Sequence, residues 1–86
     1  MLKIKKSLTK EEWIVFNPDN FDLHTHCRSQ RVAVAIKRTV EHHEIPKSID
    51  LRFIDSCMRV TTNKAYLRKL EAYKTYVKEG ENYGRN

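Results

Sequence analysis

Between Ile49 and Val60 apolar residues crowd one short segment: Ile49, Leu51, Phe53, Ile54, Cys57, Met58 and Val60. Read as a helix of about 3.6 residues per turn, they cover roughly 200 degrees of its surface. A face that wide is satisfied only when other elements pack on both sides. The segment therefore predicts a central helix with the rest of the chain built around it. Arg52, Asp55, Ser56 and Arg59 form its one polar strip.

The flanking segments supply partners. Val32, Ala33, Ile36 and Val40 recur at helical spacing, with His43 on the same side. They predict a first helix from Thr25 or Ser29 to Glu44, ended at Ile45-Pro46 because the residue before a proline avoids helix. Ser48 is the expected cap of the central helix, and Thr62 or Asn63 that of a third, from Lys64 to Glu79. Tyr66, Leu67, Leu70, Tyr73 and Val77 line the inner face of this third helix, and Gly80 is its expected stop. The first 22 residues differ. Leu2 and Ile4 alternate with lysines, Trp13-Ile14-Val15-Phe16 favours strand, and Asn17-Pro18-Asp19-Asn20 suits a tight turn. Thr9, three residues before Glu12, fits a capping box. The expected fold is mainly α: a small three-helix domain, its core over 25–79, with a short N-terminal β-hairpin or extended arm over 1–22 and a frayed tail over 80–86.

The chain has 86 residues. At that size folding buries about 64 per cent of the surface, which supports one modest core and leaves little room for an enclosed substrate cavity. The only glycines are Gly80 and Gly84, which excludes a glycine-rich phosphate loop. No apolar run reaches the roughly 18 residues a membrane span needs. The start, Met-Leu-Lys-Ile-Lys-Lys, lacks the apolar stretch of a leader, and two cysteines make no disulfide framework. A cytoplasmic protein with free thiols is expected.

Net charge is +6 and favours anionic partners. The excess sits in two runs without acids. Residues 23–40 hold Arg28, Arg31, Lys37 and Arg38; residues 56–70 hold Arg59, Lys64, Arg68 and Lys69. With Arg52, these are the candidate contacts to nucleic acid, to a nucleoprotein or to an acidic protein surface. A solvated helix surface has the same composition.

His24-Thr25-His26-Cys27 is the most suggestive string. On a strand, His-x-His points both imidazoles to one side, as a metal site wants. Helix length sets His42 and His43 about 24 Å from that string, too far to share an ion with it. His42 and His43 instead suit a helix C-terminus, where imidazolium complements the dipole. Cys57 lies mid-helix on the apolar face and reads as core. No metal or cofactor is expected; His24, His26 and Cys27 are the residues that would hold a metal. Alternatively Cys27, beside Arg28 and Arg31 at a helix start, would be a thiol of lowered pKa.

Nothing assembles a catalytic constellation. The sequence predicts a small basic non-catalytic binding module that engages nucleic acid or a nucleoprotein through basic helix faces, as a monomer or homodimer. The alternative is a protein-binding adaptor or inhibitor of the kind phages and mobile elements encode. A metal or reactive-thiol function at His24, His26 and Cys27 is the third reading.

Overall fold

A computed structural model describes residues 1–47 and 49–83. Three strands precede three helices: β1 (Lys3–Lys6), β2 (Trp13–Asn17), β3 (Asn20–Cys27), α1 (Gln30–Glu41), α2 (Leu51–Val60) and α3 (Lys64–Tyr83). The strands form one antiparallel meander in the order β1-β2-β3. The fold is thus α+β, a three-stranded sheet with three helices, and not a three-helix domain with a short hairpin. The strand the sequence does not announce is β3, whose residues 25–27 fall within the expected helical core. Its inward positions are Thr25 and Cys27 rather than branched aliphatics, so no run of large apolar residues announces a strand. Thr25 is buried because its hydroxyl donates to Ser56 Oγ at 2.9 Å across to α2.

Local chemistry sets the boundaries. The β1–β2 connection is held by Ser7, whose Oγ accepts from the N–H groups of Thr9 and Lys10; residues 8–11 form bends, and no capping box starts a helix at Thr9. Asn17 Oδ1 accepts from Asp19 N–H at 2.9 Å in the β2–β3 turn. Ser29 caps α1, its Oγ accepting from Val32 N–H at 3.3 Å. Asp50 caps α2 by accepting from Arg52 N–H at 2.9 Å, so that helix starts at Leu51; Ser48, its expected cap, lies outside the described residues. Asn63 Oδ1 accepts from Tyr66 N–H and starts α3. Each cap satisfies a helix donor otherwise left without a partner.

α1 ends three residues earlier than expected. His42 caps it and His43 follows at φ 52°. His43 N–H donates to Val40 O and Glu44 N–H to Thr39 O, which closes the last turn as a Schellman motif. His43 is therefore exposed rather than on the inner stripe, with its ring 5.2 Å from that of Tyr66. The Tyr66 hydroxyl donates to Glu44 O at 2.6 Å and so ties α3 to this corner. α3 runs through Gly80, the expected stop, to Tyr83, so the expected frayed tail is helical over its first part; residues 84–86 lie outside the described residues.

Alternation divides the sheet into two faces. Ile4, Val15 and Thr25 share one cross-strand row, and Trp13 and Cys27 the next. This face packs on the helices in one core, with Val15, Ala33, Ile36, Cys57, Val60 and Leu70 buried. Burying each large aliphatic there contributes about 1.5–3 kcal/mol. α1 lies across all three strands, and α2 touches β2, β3, α1 and α3, the central place its wide apolar face predicts. Among the described residues no helix is long and apolar enough to cross a membrane.

Candidate functional site

The opposite face of the sheet is open. Lys3, Phe16 and His24 form one cross-strand row on it, and Lys5, Ile14 and His26 the next. Phe21 joins them through an irregularity in β3. Phe16 pairs with His24 while Asn17 pairs with Asn20, so Phe21, Asp22 and Leu23 loop out of register. Asn20 Oδ1 accepts from Asp22 N–H inside this bulge. The result sets the Phe21 ring 5.5 Å from Phe16, nearly parallel at 20°. Lys5 Nζ lies 5.5 Å from the Phe16 ring centroid, within cation–π range.

The two histidines meet edge to face, ring centroids 5.2 Å apart. His24 Nδ1 donates to Phe21 O at 3.0 Å, and His26 Nδ1 donates to Glu12 Oε1 at 2.8 Å. In each imidazole Nδ1 is thus engaged within the protein. Lys5, Ile14, Phe16, Phe21, His24 and His26 line a shallow depression of about 230 Å³. In the sequence this assembly shows only as His-x-His; Trp13 and Phe16 read as residues docking an arm and Phe21 carries no signal, because cross-strand register is invisible without β3.

Cys27 lies on the other side of the sheet from His24 and His26 and is buried, so the three do not converge on one point. Among the described residues no group of three or more His, Cys, Asp or Glu side chains is placed to hold a metal ion. Burial, and then the nearby Glu12 carboxylate, push the Cys27 thiol up, opposite to the lowered value expected from Arg28 and Arg31. Cys57 is fully buried, and desolvation with Cys27 as neighbour pushes its thiol up to about 12.

The basic residues singled out in the sequence fall into several groups. Of these nine, all but Lys37 are exposed, and none but Lys37 forms an ion pair among the described residues. Lys37 Nζ donates to Glu41 Oε1 at 2.7 Å. That bond, reinforced by a backbone bond from Leu2 N–H at 3.0 Å, holds the Glu41 carboxyl below its usual range against the opposing effect of desolvation. Arg31 and Arg38, seven residues apart, lie on the outward side of α1, and Arg52 and Arg59 do so on α2. Asp55, within the α2 polar strip, pairs with Lys74 of α3 at 2.5 Å and not with Arg52 or Arg59. Lys64 and Arg68 share one outer stripe of α3; Lys69 is exposed toward its edge. Arg28 and Arg52 do converge: with His26, Ser56, Phe53 and Asp50 they border a groove of about 330 Å³ where β3 ends and α1 and α2 begin. The chain matches no family model, no curated protein and no solved structure.

Proposed function

We propose that this domain is a non-catalytic module that binds nucleic acid through its positively charged surface. The observation that carries the reading is the state of the basic residues: Arg28, Arg31, Arg38, Arg52, Arg59, Lys64, Arg68 and Lys69 are exposed, and none is neutralised by an ion pair among the described residues. Lys37 and Lys74, by contrast, are paired with Glu41 and Asp55. Unpaired arginines on the outward sides of α1 and α2 suit phosphate oxygens, which a guanidinium meets with two parallel hydrogen bonds. The groove holding Arg28 and Arg52 adds two such groups where α1 and α2 begin, with the Asp50 carboxylate that caps α2 on the same border.

The test is binding of a fluorescein-labelled oligonucleotide, followed by anisotropy over a series of salt concentrations. Log affinity is expected to fall linearly with log salt, and the double reversal Arg31→Glu/Arg38→Glu to flatten a single-strand slope by about 1.4, the value for two lost phosphate contacts. Absence of binding at about 50 mM salt, or an affinity indifferent to salt, overturns the reading. An acidic protein retained from lysate after nuclease treatment, with no oligonucleotide bound, would favour the adaptor reading instead.

A further inference from the structure

The open face of the sheet carries chemistry that a solvated sheet does not need. Phe21 is 66% exposed although the bulge that presents it is internally hydrogen-bonded. Its ring lies against Phe16 rather than in the core, and the charged residues of the rows beneath are Lys3 and Lys5. Glu12 is held by His26, and Asp22 sits in the bulge.

We propose that this face is a stacking platform for single-stranded nucleic acid, with a base on the exposed Phe21 ring and the adjoining phosphates met by Lys3 and Lys5. The inference rests on the nucleic-acid reading above and narrows it to single strands and to the sheet. Lys3 and Lys5 favour an anion on this face, against the single exposed carboxylate of Asp22 beside Phe21, and the paired phenyl rings favour an anion with flat aromatic groups. An unpaired strand offers both, whereas in a duplex the base faces are covered by their neighbours. Lys5 sits over Phe16, so positive charge stands beside the ring that supports Phe21, where the backbone of a stacked nucleotide would pass. His24 and His26 line the same depression, and an imidazole nitrogen can meet a base edge as donor or acceptor. The helix arginines then act on the flanking strand rather than on the stacked bases.

The experiment compares an oligothymidylate of about 12 nucleotides with a duplex of the same length, both fluorescein-labelled, against the full chain and variants at Phe21. The single strand is expected to bind more tightly than the duplex. Phe21→Ala is expected to weaken single-strand binding about tenfold, Phe21→Leu to do the same, and Phe21→Tyr to hold it within about twofold, because stacking needs the ring and not merely apolar area. Phe21 is exposed, so an unchanged melting temperature confirms that each variant folds. Lys5→Glu supplies a second, independent weakening. Equal or tighter duplex binding, or a Phe21→Ala variant of unchanged affinity, overturns the platform. If binding persists and still responds to the Arg31 and Arg38 reversals, the platform alone fails; if neither oligonucleotide binds, the nucleic-acid reading fails and the platform with it.

Discussion

The two faces of the sheet are made by the same short strands, yet they do opposite things. On the inner face Val15, Thr25 and Cys27 are buried and polar groups have partners. On the outer face, one residue along in each case, Phe16 is half-buried and His24 and His26 are exposed. Every residue of β3 from His24 to Cys27 is assigned to one role or the other by the period of two alone. Hydrophobic energy accumulates on one side, and groups able to meet a ligand remain on the other. A one-residue slip would exchange the roles.

This contrast gives graded expectations. The largest effect belongs to the inner face. Val15→Asp would place an unpaired carboxylate where the relative exposure is 0%, and is expected to cost on the order of 4 kcal/mol or more, enough to remove the cooperative urea transition. A folded Val15→Asp variant would break the contrast. Next comes pH. The Cys57 thiol is raised from its ordinary 9.0 to about 12 in the folded chain, so the unfolded chain loses its proton first. Its contribution to stability is full below pH 9.0 and is lost as pH rises toward about 12, with a slope of up to about 1.4 kcal/mol per pH unit. Urea midpoints across that range measure it, and Cys57→Ala is expected to flatten the decline. Smaller still is Thr25→Val, which removes the bond to Ser56 and is expected to cost about 1 kcal/mol. The outer face closes the series: Phe21→Ala should alter stability by no more than about 0.5 kcal/mol, as for an exposed residue outside the core.

Much of the helical layer was legible in the sequence, and most of the sheet face was not. The wide apolar face of Ile49 to Val60 points to a central helix because 3.6-residue periodicity needs no partner to be seen. Residue type narrows the start of α1 to Thr25 or Ser29 and the cap of α3 to Thr62 or Asn63, and packing selects Ser29 and Asn63. β3 is hidden because its inward residues are Thr25 and Cys27, and because its bulge interrupts the alternation just where Phe21 turns outward. Cys27 follows the same logic: in the first turn of a helix it would face arginines, whereas on a strand it faces the core. His-x-His correctly carried the idea of two imidazoles on one side, and the structure adds the aromatic and basic company that only cross-strand register supplies. The basic residues were legible as a class, while the loss of Lys37 to Glu41 and the pairing of Asp55 with Lys74 depend on packing.

The most direct measurement is an aromatic carbon–proton NMR titration of the full chain with unlabelled oligothymidylate. Trp13 lies on the inner face and packs against the core, and Phe21 lies on the outer face, so the protein carries its own internal control. Ring signals of Phe21, Phe16 and His24 are expected to move together and saturate, with the Trp13 indole unmoved. Shifts confined to Trp13 or to Tyr73 and Tyr76, or no shifts at all, would contradict the account.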